Sequence, residues 1–205
     1  MIDKLDWLDG LASSCIHLKR LEEAQLYLDK SLALLRTVRS DEEKEMQLYY
    51  FINRAQLAKA MGDKEQGLPM LKKAAHIANF LGNRKGVDAM NEMAKIYLGI
   101  ESYPSVIAQV TGVEKLLDIK GNPYLKDPYL LQTYTLAAKA YARQGDRARS
   151  LMMIEKAEVQ AAYYHTQYMF NESKLYLDEL RRINLELGVE VCYALWQETS
   201  NNEYL

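Results

Sequence analysis

Residues 134–157 read YTLAAKAYARQGDRARSLMMIEKA. The stretch has the pattern of one helix, a tight turn at Gln144-Gly145-Asp146 and a second helix. The small residues Ala138 and Ser150 stand twelve positions apart, one in each helix. Small side chains at a crossing let two helices approach closely.

The same register occurs three more times. Ala12, Ala55, Ala94 and Ala138 are spaced 43, 39 and 44 residues apart. Twelve residues after each comes Ala24, Gly67, Val106 or Ser150, and sixteen after comes Leu28, Leu71, Val110 or Ile154. Nineteen after each stands Ser31, Ala74, Val113 or Ala157. Four residues before each alanine lies Leu8, Phe51, Met90 or Tyr134, and three after it Cys15, Ala58, Tyr97 or Tyr141. Offsets of −4, 0 and +3 share one face of a first helix, and +12, +16 and +19 share one face of a second. A single such hairpin cannot bury its apolar face, whereas stacked hairpins can.

These residues resemble the tetratricopeptide repeat (TPR) family, whose signature sets apolar and aromatic residues around small ones in two helices. Its turn also shows, as Met61-Gly62-Asp63 and Gln144-Gly145-Asp146. The likeness covers roughly residues 5–180. It departs from the family in its longer spacing, against about 34 residues, and in lacking the closing proline. The long spacing is similar to TPR segments of bacterial regulatory proteins. The resemblance implies an all-α fold, a right-handed superhelical array of about four hairpins. Their expected bounds are 5–38, 41–81, 84–119 and 128–162, with a capping helix at 163–187 and an apolar tail at 188–205.

Local signals fit these bounds. Ser40 caps the next helix and acids follow it, while Leu81-Gly82-Asn83 ends a helix. Pro104 and Asp127-Pro128 suit helix first turns. Pro69, near Gly67, predicts a kink or a helix starting near Leu68. In the final helix Met169, Ser173, Tyr176, Leu180, Ile183 and Leu187 form a heptad-like seam. That seam can cap the array or pair two copies as a homodimer. Gly188 is expected to end the helix. Val191, Cys192, Tyr193, Leu195 and Trp196 then make the tail too apolar to be free, so it folds back or meets another domain.

The composition narrows the function classes. In 205 residues, Gly (10) and Pro (4) are scarce, which suits helices. A net charge of −2 gives no reason to expect nucleic acid or an anionic membrane as a direct partner. No apolar run is long enough to cross a bilayer, and the first residues lack the features of a signal peptide. Cys15 and Cys192 are distant from each other and read as free thiols in a reducing compartment, so a cytoplasmic location is expected. There is no CxxC, HExxH or phosphate loop, and His17, His76 and His165 are scattered. No catalytic residue, metal or cofactor is expected. Fifteen tyrosines against three phenylalanines suit both packed seams and binding surfaces.

In the family, the first helix of each hairpin lines a concave groove, and the residue after the close-packed alanine faces it. The resemblance implies that Ser13, Gln56, Lys95 and Lys139 do so here, with Lys174 equivalent on the final helix. One turn earlier stand Asn91 and Thr135, and one turn later Gly99 and Arg143. This implies a basic, amide-lined strip for an acidic or carboxylate-bearing peptide. The primary expectation is a non-enzymatic protein- or peptide-binding scaffold. The alternative is a ligand-sensing regulatory segment of a larger signalling or transcription-regulator protein.

Overall fold

The computed structural model describes residues 2–37, 42–81, 84–123, 125–167 and 171–204. Among them the chain forms helices α1 (Ile2–His17), α2 (Leu21–Leu35), α3 (Glu42–Ala60), α4 (Lys64–Leu81) and α5 (Arg84–Gly99). It continues through α6 (Tyr103–Leu116), α7 (Pro128–Arg143), α8 (Arg147–Gln167) and α9 (Asn171–Thr199), with a short 3-10 turn at Asn202–Tyr204 and no strand. The chain divides into two compact units, Met1–Ile100 and Glu101–Leu205. In the first, α1 packs on α2, α3 on α4, and α5 on both α3 and α4, while α3 also meets α1 and α2. In the second, α7 packs on α6, α8 and α9, and α8 packs on α9.

The repeat register explains this packing. All four alanines are buried, none more than 1% exposed. Ala24, Val106 and Ser150 at the +12 positions are fully buried, and Gly67 is buried as well. The hydroxyl of Ser150 donates to the carbonyl of Ala138 at 2.9 Å, so the two small positions of that hairpin touch. In the second hairpin, a Cβ on Gly67 would lie 3.6 Å from the carbonyl oxygen of Ala55. Leu28, Leu71, Val110 and Ile154 at +16 are buried beside them. Each buried aliphatic side chain contributes about 1.5–3 kcal/mol over its exposed state. Phe51 and Tyr141 are only half-buried.

The register extends into the backbone. Seven residues after each alanine stands a residue in the left-handed region: Lys19 (φ 59°), Gly62 (78°), Glu101 (61°) and Gly145 (79°). In three of these turns the next N–H reaches back five residues. Arg20 donates to Cys15 at 2.8 Å, Asp63 to Ala58 at 2.8 Å and Asp146 to Tyr141 at 3.0 Å. This is the Schellman closure, which satisfies carbonyls left open at a helix end. Asp63 and Asp146 then cap the following helices, accepting N–H groups of Gln66 (3.0 Å) and Arg149 (3.1 Å).

The final helix differs from expectation at both ends, and at its start α8 runs on to Gln167, so that α9 begins at Asn171 rather than Tyr163. Pro69 lies inside α4, which spans Lys64–Leu81, so the later start near Leu68 drops out. Its missing N–H leaves only the Glu65 carbonyl without an intrahelical donor, and Glu65 is exposed to water. Gly188 does not end the final helix, because α9 runs on to Thr199. Asn184, Val191 and Leu195 hold that helix down at helical spacing, so burial on both sides of Gly188 carries it through. The Asn184 amide nitrogen donates to the Ile154 carbonyl and to Glu158, both at 3.1 Å. Of the expected seam, Leu180, Ile183 and Leu187 are half-buried; Met169 and the side chains of Ser173 and Tyr176 lie outside the described residues. Among the described side chains of α9, the exposed large apolar ones are Leu185, Val189 and Tyr193.

Candidate functional site

α7 is the most enclosed helix of the second unit. Asp127 caps it, accepting the Tyr129 N–H at 3.0 Å. Gln160 of α8 anchors its start, accepting the Asp127 N–H at 3.3 Å and donating to the Leu125 carbonyl at 3.2 Å. Residues 130–138 are all buried. Lys139 is half-buried, and desolvation holds its ammonium below the ordinary lysine pKa. No carboxylate among the described residues pairs with it. One turn on, Arg143 is exposed in the last turn of the helix. Two cations four residues apart thus share a face. α9 packs on α7 and carries Lys174, whose side chain lies outside the described ones.

In the first unit the equivalent positions have a different chemistry. Gln56 on α3 is half-buried, and its Oε1 is enclosed without a donor. Lys95 on α5 is exposed but pairs with Glu92 at 2.5 Å. Asp88, one turn before Glu92, has its carboxyl pKa raised by burial and by Glu92, with Lys95 opposing. The charge of Lys95 is therefore balanced within its own helix. A Cβ on Gly99 would fall 2.4 Å from Lys59 Cε, so the Lys59 side chain crosses the end of α5.

The two residues expected one turn before these lysines do not line an open surface. Asn91 is 1% exposed and Thr135 is 3% exposed. The Thr135 hydroxyl donates to the Leu131 carbonyl at 2.9 Å. Gln56, Asn91 and Lys95 belong to the first unit, and Thr135, Lys139, Arg143 and Lys174 to the second. Glu92 stands three residues before Lys95, so their pairing is a local feature of the sequence. Among the described residues no His, Cys, Asp and Glu cluster could hold a metal ion, and no helix is long and apolar enough to cross a membrane.

The fold defined by this register and these hairpins is a TPR-like helical repeat. The chain is similar over nearly its whole length to the nearly identical TPR-like repeats of a Podosopora anserina protein described as a kinesin light chain. The two share 16% identity with a TM-score of 0.61, covering 98% of this chain and 99% of the other. A glutamine-to-methionine variant of those repeats matches equally, at 16% identity and a TM-score of 0.61, covering 98% of each chain. No family model matches the sequence, and neither does any curated protein.

Proposed function

We propose that this chain is a non-enzymatic protein- or peptide-binding module that takes an acidic or carboxylate-bearing segment against α7. The observation that carries the reading is Lys139. Half-burial lowers its pKa, and it has no carboxylate partner among the described residues. A bound carboxylate would supply the missing counter-charge, with Arg143 offering a fork for a second one. Lys174 is not counted in this site: α9 has Glu198 beside Arg147 and Arg181 beside Glu158, so its residue 174 lies toward the other end of α8 from Lys139. Gln56 and Lys95 are secondary, since Lys95 is already neutralised by Glu92. The free thiols of Cys15 and Cys192 fit work in the cytoplasm.

The test is fluorescence anisotropy with a panel of acidic peptides, each with a free and an amidated C-terminus. Lys139→Glu and Arg143→Glu are expected to weaken binding about tenfold or more, each losing a charge-assisted bond. Lys95→Glu should leave affinity within about twofold. Parent-like binding by both α7 variants would overturn the reading. A second reading, a ligand-sensing regulatory segment of a larger signalling protein, is favoured by the apolar face of α9 at Leu185, Val189 and Tyr193. It predicts that peptide binding alters protease cleavage in α9, and an unchanged pattern would remove it.

A further inference from the structure

A cavity of about 550 Å³ opens in the second unit where the end of α6 meets α8. Its walls are Glu114, Lys115, Asp118, Ile119 and Lys120 on one side and Lys156 on the other. Its volume lies within the ~300–1,000 Å³ range of small-molecule sites.

The sequence builds this wall by folding the chain back over the end of α6. Ile119 N–H donates to the Glu114 carbonyl at 3.0 Å, and Asp118 N–H to Lys115 at 3.2 Å. Asp118 takes φ 49°, a left-handed conformation that costs a non-glycine residue about 1 kcal/mol or more. It lies outside the +7 register of Lys19, Gly62, Glu101 and Gly145, and it closes the end of α6 in the same way, the residue after it donating five residues back. Its carboxylate accepts the Gly121 N–H at 3.3 Å, and its carbonyl accepts the Asn122 N–H at 2.9 Å. A Cβ on Gly121 would stand 2.3 Å from Asp118 Oδ2, so glycine permits the carboxylate to fold over the loop. The loop thereby sets Ile119 and Lys120 beside Lys115.

The charges around the cavity are unevenly satisfied. Glu114 is held by Lys156 Nζ at 3.3 Å and by the hydroxyl of the buried Tyr134. Lys156 also lies over the Tyr134 ring, 5.1 Å from its centre. The Asp118 carboxylate is turned to the loop. Lys115 and Lys120 have no carboxylate partner among the described residues. We propose that this cavity binds a small organic anion, its carboxylate or phosphate head held by Lys115 and Lys120 and its apolar body against Ile119 and the stem of Lys156. The site is independent of the Lys139 face. Tyr134 and Lys139 are five residues apart on α7, hence about 140° apart around the helix.

The test titrates the full chain with citrate and, separately, pyrophosphate in 0.15 M NaCl, by calorimetry and by ¹⁵N–¹H correlation spectra. The expected result is saturable binding with a Kd below about 1 mM and shifts confined to residues 111–121 and the region of Lys156. Saturation by citrate alone assigns a carboxylate ligand, and by pyrophosphate alone a phosphate ligand. Lys115→Gln/Lys120→Gln should weaken binding about tenfold or more, while Lys72→Gln on the exposed face of α4 leaves it unchanged. Should the double variant misfold, the single variants carry the test, each expected at several-fold. Shifts that never saturate or that spread across all lysines mean an adventitious ion only and overturn the site, as does parent affinity in the lysine variants.

Discussion

The first hairpin, α1–α2, and the last, α7–α8, follow one register with two different chemistries. Both bury the central alanine, Ala12 or Ala138, and both place the seventh residue beyond it in the left-handed region. In the last hairpin every local choice agrees with that geometry. Gly145 occupies the left-handed position, Asp146 caps α8, and Thr135 satisfies itself on the Leu131 carbonyl. In the first hairpin Lys19 takes the left-handed position, Arg20 makes no side-chain cap, and the counterpart of Thr135 is the carboxyl group of Asp9. The comparison teaches that the spacing of small and apolar residues sets the hairpin. Turn and cap residues then adjust its stability by increments.

The largest difference to test is at Asp9. One carboxylate oxygen accepts the Ser31 hydroxyl at 3.0 Å, while the other is enclosed without a donor. Its backbone carbonyl accepts the Asn53 amide at 3.1 Å. Burial, with Asp6 adding to it, pushes the carboxyl up to about 7, against the opposing Ser31 hydrogen bond. A carboxyl that holds its proton more tightly when folded stabilises most below its unfolded pKa. That stability is lost as pH rises through the folded value, so the window here runs from about pH 4 to about 7. Asp9→Asn removes the ionisation. At pH 8 it is expected to be more stable than the parent by a few kcal/mol, at about 1.4 kcal/mol per pKa unit, with little difference at pH 4. Urea unfolding across pH 4–8 measures this. A parent curve with the same slope as that of the variant would show that Asp9 is not the titrating group.

The left-handed position gives the next effect. Nothing stands within 4 Å of a Cβ built on Gly145, so a substitution there is opposed by the backbone alone. Gly145→Val is expected to destabilise by roughly 1–2 kcal/mol. Lys19→Ala at the equivalent site should change stability by less than about 0.5 kcal/mol, because Lys19 already bears that strain. Equal losses at the two sites would break the equivalence of the two turns. The cap comes third: Asp146→Ala should cost about 1 kcal/mol by thermal or urea unfolding.

These contrasts also explain which parts of the fold were legible in the sequence. The turns at Gly62-Asp63 and Gly145-Asp146 announce themselves through residue chemistry. The turn at Lys19-Arg20 carries no turn residue and follows only from the spacing of the alanines, and the one at Glu101-Ser102 is marked only by Pro104 in the helix after it. The passage of α9 through Gly188 was not legible locally, since a glycine there looks like a terminus. Only the burial of Asn184, Val191 and Leu195 overrides it. At the candidate site, Lys139 followed from its place after Ala138, but its missing counter-charge is a tertiary fact. The fold-back at Asp118 that shapes the α6–α8 cavity was equally hidden, because aspartate has no strong preference for that backbone conformation.

The smallest effect is the most discriminating. If strain at Lys19 is offset by the register rather than required by function, Lys19→Gly should stabilise the first unit. Relieving the left-handed backbone is worth about 1 kcal/mol. Glycine also gives the unfolded chain more freedom, which returns about 0.4–1 kcal/mol of that gain. The net expectation is a few tenths of a kcal/mol, read as a higher urea midpoint at unchanged slope. A loss instead of a gain would mean that the lysine side chain itself steadies the turn. The first hairpin would then be a different solution from the last rather than a less optimised copy of it.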